Sequence, residues 1–295
     1  MAERTIQGNG IEIWTEDFGN LEHPPILLVM GASAQGILWT HDFIQPLVNS
    51  GRYVIRYDNR DTGQTTCFDF EKQPYTLGDM ARDAVAVLDA YGLRAAHVIG
   101  ASMGGMIGQT VAIDHPDRIL TLTSIMSTPG GSSVADAIGD SGPAGETLPG
   151  PSDELMEVVL KQQADPPRTR EERIANKVEL FRHLTGSLAP FDEPTYQELF
   201  EREYARARDW DAQNNHGLAI AASPDRRDAL AGVSTPTLVI HGTEDPILPY
   251  EHGVATAKAI PGAELVSIAG MGHELPAPAL ERITGAILRH TAAAR

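Results

Sequence analysis

Ser102 stands where a nucleophile would be expected. It lies in GASMGG, residues 100–105, after an apolar run and before a helical pattern. A serine at a strand–turn–helix junction, with glycines two positions away on both sides, is typical of a nucleophile elbow, in which the hydroxyl is exposed for attack. Gly100 and Gly104 supply the small residues that so tight a turn needs, and Gly105 lets helix and strand approach closely. The flanking strand and helix favour this interpretation over a flexible turn.

A histidine and a carboxylate stand after later predicted strands. A serine hydroxyl needs a base to take its proton, and the base needs an acid that holds it in one tautomer. His273 in AGMGHELP follows the last predicted strand, and Asp245 in HGTEDP follows the strand before, with Glu244 as the alternative acid. An aspartate before proline is by itself more typical of a turn. Its combination with the serine and the histidine predicts a catalytic triad of Ser102, Asp245 and His273, and we expect His241 to pack beneath the acid loop.

Two backbone amides are candidates for an oxyanion hole. Ester hydrolysis places negative charge on the carbonyl oxygen, and backbone N–H groups aimed at it stabilise the transition state. Met103 follows the nucleophile, so its N–H is the first candidate. The loop in LLVMGASAQG follows an early predicted strand, and after Gly31 the N–H of Ala32 is the best second candidate. Because both donors belong to the backbone, their side chains matter little.

The elements between these residues predict an α/β fold. Short apolar runs closed by turn signals predict buried parallel strands over residues 24–30, 52–58, 95–100, 119–126, 236–240 and 264–268. Helical patterns between them cover residues 76–93, 103–117, 252–260 and 279–290. This alternation predicts a mostly parallel central sheet flanked by helices. Ligands bind outside the carboxyl ends of the strands in such sheets, where the predicted catalytic residues stand.

One long stretch interrupts the alternation. It opens with a loop rich in Gly, Ser and Pro and continues as helical patterns that carry several aromatic residues. We therefore predict a hydrolase core formed by residues 1–128 and 227–295, with an inserted helical cap formed by residues 129–226. One cap helix places Tyr196, Phe200 and Tyr204 on the same face. This stripe either packs the cap onto the body or forms a wall over a bulky apolar substrate, and the two interpretations are compatible.

Composition excludes several classes of function. The formal net charge of −17 predicts repulsion from nucleic acids and anionic membranes, so we expect neither as a partner. The single cysteine, Cys67, allows no disulfide within the chain and no cysteine-based metal cluster. The first residues lack a basic stretch followed by an apolar core, so we expect no signal peptide and a cytoplasmic protein. We expect a small apolar ester as partner and neither a cofactor nor a metal ion; oligomeric state stays open.

Five stretches carry a resemblance to a known family. They are VMGAS (29–33), IRYDNRDTGQT (55–65), GASMGG (100–105), HGTEDPILP (241–249) and GMGH (270–273). Together they resemble the α/β-hydrolase family over essentially the whole chain, and within it the aclacinomycin methylesterases, which hydrolyse a methyl ester on an anthracycline. Many relatives have His where this chain has Met30 and Ala101. Neither departure touches a predicted catalytic role.

The predicted triad and the resemblance lead to a functional hypothesis with open alternatives. The triad predicts a serine hydrolase that cleaves a carboxylic ester through an acyl-enzyme, and the resemblance points to the methyl ester of a bulky, anthracycline-like polyketide. The same triad serves hydrolysis of a C–C bond and haloperoxidase-like perhydrolysis, and only the pocket under the cap would decide between them. A non-catalytic small-molecule receptor is the alternative of another class. The presence of all three triad residues disfavours it.

Overall fold

The computed structural model describes residues 2–130 and 148–293. In this part of the chain eight strands form one sheet, in the order β1-β2-β4-β3-β5-β6-β7-β8. The strands are β1 (Ala2–Gly8), β2 (Ile11–Phe18), β3 (Pro25–Val29), β4 (Tyr53–Tyr57), β5 (Ala96–Ala101), β6 (Ile119–Ile125), β7 (Thr237–Gly242) and β8 (Glu264–Ile268). The strand β2 is antiparallel to both β1 and β4, and all other neighbours are parallel. The predicted α/β fold with a mostly parallel sheet is confirmed.

Helices cover both faces of the sheet. The α-helices of the described residues, including those of the segment between β6 and β7, are α1 (His41–Asn49), α2 (Leu77–Ala90), α3 (Met103–Asp114), α4 (Asp153–Ala164), α5 (Arg170–Leu184), α6 (Glu193–Arg206), α7 (Asn215–Ala221), α8 (Arg227–Leu230), α9 (Tyr250–Ala259) and α10 (Ala277–Ala293). Side chains along β3 alternate between two hydrophobic clusters, as the pleat of a strand requires. Leu27 packs with α2 and α3, whereas Leu28 packs with α1 and α10 on the other face. Such a core holds the strand ends rigidly.

The first two strands were not predicted from the sequence. Most side chains of β1 are exposed, because β1 is an edge strand, so Ala2–Gly8 carries no apolar run. It pairs with β2 from Ala2 opposite Asp17 to Gly8 opposite Ile11. This antiparallel pair lies beyond β4, on the far side of the sheet from β7 and β8. Its omission therefore leaves the predicted arrangement of the strands that carry the candidate catalytic residues unchanged.

A helical segment leaves the sheet between β6 and β7, and we call its described residues, 148–226, the insertion. Its core is formed by α5 and α6, where Phe200 is fully buried between the rings of Phe181 and Tyr196. The aromatic stripe thus packs α6 against α5 within the insertion, and Leu38 of the body packs against the same cluster. The cap bounds 129–226 stay a prediction. Most of the predicted glycine-rich opening of the cap lies outside the described residues.

Candidate active site

The turn after β5 holds Ser102 in an uncommon backbone conformation. Its φ is +53°, in the left-handed region that a non-glycine residue adopts only when its surroundings enforce it. A Cβ at Gly100 would lie 2.1 Å from the carbonyl oxygen of Gly104, and a Cβ at Gly104 would lie 2.0 Å from the carbonyl oxygen of Val29. Side chains at either glycine would collide with backbone. Their absence lets strand, turn and helix pack tightly enough to fix Ser102.

Hydrogen bonds to the neighbouring strand hold the same turn. The Ser102 amide donates to the carbonyl of Ile125 at the end of β6 (2.9 Å), and the Ser127 hydroxyl donates to the Ser102 carbonyl (2.8 Å). The Ser102 hydroxyl itself makes no hydrogen bond to any described residue. The hydrogen bond that would link Ser102 to His273 is therefore not formed in this structure. Catalytic hydrogen bonds often tighten only when substrate is bound.

His273 and Asp245 form a direct hydrogen bond. Nδ1 of His273 lies 2.7 Å from Oδ2 of Asp245, and both side chains are buried. Oδ1 of the aspartate accepts from the backbone amides of Ile247 (3.0 Å) and Leu248 (2.8 Å), which fixes the carboxylate within its own loop. An ionised carboxylate only accepts hydrogen bonds, so Nδ1 carries a proton, and in the neutral form of the ring Nε2 has a free lone pair. This is the tautomer that a general base needs.

Asp245 is kept ionised by two histidines. Burial alone would raise its pKa, but the charge of His273 and hydrogen bonds from His241 and His273 outweigh it and hold the pKa of Asp245 well below its ordinary value. Nε2 of His241 lies 2.7 Å from the Leu248 carbonyl and 3.4 Å from Oδ2 of Asp245, and the ring is fully buried. His241 lies under the acid loop, as predicted from the sequence, and in addition contacts the acid.

Glu244, the alternative acid, points to a different partner. Its carboxylate accepts from the backbone amide and from the hydroxyl of Ser187 in the insertion, both at 2.8 Å. These two hydrogen bonds lower the pKa of Glu244, although the side chain is exposed. Adjacent acidic residues therefore have separate contacts: Asp245 bonds the histidine and Glu244 bonds the insertion.

The loop after β3 contacts Ser102 directly. A Cβ at Gly31 would lie 3.1 Å from Cβ of Ser102 and 3.7 Å from its hydroxyl oxygen, so the backbone at Gly31 packs against the serine side chain. Neither the Ala32 amide nor the Met103 amide donates a hydrogen bond within residues 2–130 and 148–293. Met103 is the first residue of α3, where backbone N–H groups have no partner in the helix. Both predicted donors are thus available to a ligand.

The insertion also binds the histidine loop. The His273 amide donates to the Leu184 carbonyl (2.7 Å), and the Leu188 amide donates to the Gly270 carbonyl (2.8 Å). The Tyr196 hydroxyl donates to the buried carboxylate of Glu274, next to the histidine. No sequence motif signalled these contacts, because backbone carbonyls and a tyrosine on an aromatic stripe have no characteristic spacing.

Neither a cluster of metal-ligating side chains nor a membrane-crossing helix is found in the described part of the chain. In these ranges no three or more His, Cys, Asp or Glu side chains cluster in a way that could hold a metal ion. None of the described helices combines the length and the apolar character that crossing a bilayer requires. The expectation that no cofactor is needed stays a prediction.

Known proteins resemble this chain over its full length. A family model described as alpha/beta hydrolase fold matches residues 24–277. Rhodomycin D methylesterase DauP from Streptomyces sp. (strain C5) is 36% identical, with 100% of this chain and 99% of that protein aligned. Rhodomycin D methylesterase DnrP from Streptomyces peucetius gives the same identity and coverage. Among solved structures, the esterase RhEst1 from Rhodococcus sp. ECU1013 superposes with a TM-score of 0.79 at 18% identity, covering 100% of both chains. At that identity the superposition supports the fold alone.

Proposed function

The chain belongs to the α/β-hydrolase family, and from this premise we propose that it hydrolyses a carboxylic ester with Ser102 as nucleophile, His273 as general base and Asp245 as the orienting acid. The observation that carries the proposal is the 2.7 Å hydrogen bond between His273 and Asp245. That pair follows β7 and β8, and Ser102 follows β5, so all three stand at the carboxyl ends of parallel strands in one sheet.

The proposed reaction proceeds through an acyl-enzyme. Nε2 of His273 takes the hydroxyl proton as Oγ of Ser102 attacks the ester carbonyl, and Asp245 stabilises the imidazolium that forms. The amides of Ala32 and Met103 donate to the oxyanion of the tetrahedral intermediate. His273 then returns the proton to the leaving alcohol. Water, deprotonated by the same histidine, hydrolyses the acyl-enzyme and restores the free serine.

For the substrate we propose the methyl ester of a bulky polycyclic polyketide. The support is the pair of Streptomyces relatives, which are named as rhodomycin D methylesterases and align along the whole chain. C–C bond hydrolysis, perhydrolysis and a receptor role are not favoured, because both of these full-length relatives are named for ester hydrolysis. A small ester is the proposed partner, with no nucleic acid or membrane partner, and the cytoplasm is the proposed location.

We further propose that the insertion belongs to a cap, residues 129–226, seated on the core. The hydrogen bonds from the insertion to the loops that carry Gly270 and His273 support this division. A cap in that position would define the pocket over Ser102. Ester choice would then depend on the cap, and chemistry on the core.

Substituting Ser102→Ala tests the proposed function. We expect kcat for p-nitrophenyl acetate and for a polycyclic methyl ester to fall by about 10⁴-fold or more, because the nucleophile is removed while the fold is kept. A fluorophosphonate probe should label the parent protein at Ser102 and not the variant. Ser50→Ala, an exposed serine after α1, is the matched control and should behave like the parent. Full activity in the Ser102→Ala protein would contradict the assignment.

A further inference from the structure

Two charged side chains of the insertion bind the loop that carries Ala32. We call residues 31–36 the oxyanion loop. Nζ of Lys177 donates to the carbonyl of Ser33 (2.7 Å), and Oε1 of Glu203 accepts from the backbone amide of Gln35 (2.7 Å). The Gln35 side chain in turn donates to the backbone carbonyl of Glu203 (2.7 Å). The insertion therefore bonds both kinds of backbone group in this loop: Lys177 donates to a carbonyl, and Glu203 accepts from an amide.

Lys177 and Glu203 also form a buried ion pair with each other. Nζ of Lys177 lies 2.6 Å from Oε2 of Glu203, and the glutamate side chain has no exposed surface. The ammonium also lies over the rings of Phe200 (5.1 Å) and Trp210 (4.9 Å), whose faces attract a positive charge. Two charges removed from water are strongly attracted at short range and keep a defined geometry. The pair joins α5 to α6 and presents a rigid polar surface to the oxyanion loop.

The oxyanion loop has little structure of its own. β3 ends at Val29 and a short 3-10 helix begins at Gly36. Of the residues between them, Gln35 alone takes part in a helix hydrogen bond, through its carbonyl, which accepts from the Leu38 amide (3.0 Å). Ser33 adopts φ +55°, an uncommon conformation for a residue with a side chain. Its amide donates to Nδ1 of the buried His216 in α7 (2.9 Å). The conformation of the residue next to Ala32 is thus imposed by contacts with the insertion.

We propose that Lys177 and Glu203 are positioning residues that set the direction of the Ala32 amide toward the oxyanion. This inference rests on the proposed ester hydrolysis. The pair does not touch the reacting atoms in this scheme but fixes the peptide that does. An interaction that acts only on the oxyanion lowers kcat when it is lost and leaves KM nearly unchanged. Binding of a tetrahedral adduct should weaken together with kcat.

The test removes both charges at once. Replacing one partner alone would leave an unpaired buried charge, so the main variant combines Lys177→Met with Glu203→Gln. We expect kcat for p-nitrophenyl acetate to fall by about 10- to 100-fold, less than the roughly 10²- to 10³-fold loss on deleting a donor outright. KM should stay within about threefold of the parent. Affinity for benzeneboronic acid, which forms a tetrahedral adduct with the serine, should fall by a factor similar to that in kcat.

The chain offers a matched control in the same two helices. Nη2 of Arg182 lies 2.6 Å from Oε2 of Glu193, an exposed ion pair that also joins α5 to α6. Combining Arg182→Met with Glu193→Gln removes a pair that does not contact the oxyanion loop. Its kcat, KM and boronate affinity should match the parent. A Lys177/Glu203 double variant that matches this control, or that raises KM with kcat unchanged, would overturn the positioning role.

A second variant covers the case in which the double variant does not fold. Glu203→Gln alone keeps an oxygen that accepts from the Gln35 amide. It removes the negative charge opposite Lys177, but the ammonium keeps the Ser33 carbonyl, Oε1 of Gln213 (3.3 Å) and the two aromatic rings as partners. We expect kcat to fall by about 3- to 10-fold, since the hydrogen bond survives and the ion pair does not. An unchanged kcat in this variant overturns the inference. The proposed function fails separately, through activity retained by Ser102→Ala.

Discussion

The two amides proposed for the oxyanion hole are held in place by different means. The Met103 amide is fixed by backbone sterics: Gly100, Gly104 and the carbonyl of Val29 pack so closely that no side chain fits between them. The Ala32 amide lies in a loop whose next residue, Ser33, is bound by Lys177, 144 residues further along the chain. One donor thus depends on a local motif and the other on side chains from a distant segment.

This difference separates two ways of organising a catalytic site. Close backbone packing leaves no room for a Cβ, so the turn around Ser102 must keep Gly100 and Gly104. If the Ala32 amide donates to the oxyanion as proposed, the contacts from the insertion leave the side chain at position 32 free to vary, because only its N–H would be used. These contacts also make the position of the proposed Ala32 donor depend on the position of the insertion. A change in the insertion would then reach the chemistry through Ser33 and Gln35.

The largest expected effect concerns the acid, which is also held locally. Asp245→Asn should lower kcat by about 10³- to 10⁴-fold, because an amide bonded to His273 favours the wrong tautomer of the ring. Steady-state kinetics at neutral pH measures the loss, and circular dichroism checks the fold. A small loss of kcat would show that another group orients His273. It would contradict the view that an acid held within its own loop sets the position of the histidine.

Glu244→Gln is the matched control for that experiment. The exposed Glu244 bonds Ser187 and not the histidine, so kcat should stay within about twofold of the parent. A loss equal to that of Asp245→Asn would reassign the acid to Glu244.

Next in size, Gly104→Ala tests the steric half of the comparison. Its Cβ would lie 2.0 Å from the Val29 carbonyl, so backbone must shift, and we expect a loss of about 3 kcal/mol or more in the free energy of unfolding. Urea unfolding measures it. Gly217→Ala is the control, because a Cβ there meets nothing within 4 Å and alanine favours helix α7. Equal stability of the two variants would contradict the close packing of the elbow.

The smallest expected effect concerns pH and the contact of His216 with the oxyanion loop. Burial lowers the pKa of His216 to about 4, and its neutral Nδ1 accepts from the Ser33 amide. The unfolded chain binds this proton first as pH falls, so the stabilisation is complete above the unfolded pKa of about 6.5 and is lost between there and about 4. His216→Gln should remove about 2–3 kcal/mol of the acid-dependent loss of stability between about pH 7 and pH 4.5.

Urea unfolding at both pH values measures this difference. The baseline stability of His216→Gln should be lower, but its change with pH should be flatter than in the parent. His23→Gln makes the same replacement at an exposed position and controls for the substitution itself, with a stability at pH 7 that should match the parent. A parent-like slope in His216→Gln would show that the ring is not held neutral against Ser33.

Sequence patterns predicted the parts of the site that depend on local structure. Six strand-sized apolar runs gave the sheet, and the glycine spacing around Ser102 gave the elbow, because both reflect constraints within a few residues. The edge strand β1 was missed since its exposed side chains leave no apolar run. Lys177 and Glu203 were also missed, because an ordinary charged residue on a helix gives no signal that it is buried.

The sequence by itself thus determined the family and which strand each candidate catalytic residue follows. It also favoured Asp245 over Glu244 as the predicted acid. Only the tertiary structure decided which charges are taken out of water and what they hold. The separate partners of Glu244 and Asp245 depend on segments that are distant in the chain and meet only in the fold. The same holds for the ion pair of Lys177 with Glu203 and for the hydrogen bond from Lys177 to Ser33. Local spacing encodes the turn that carries Ser102, whereas long-range packing sets the charged contacts around the loop that carries Ala32.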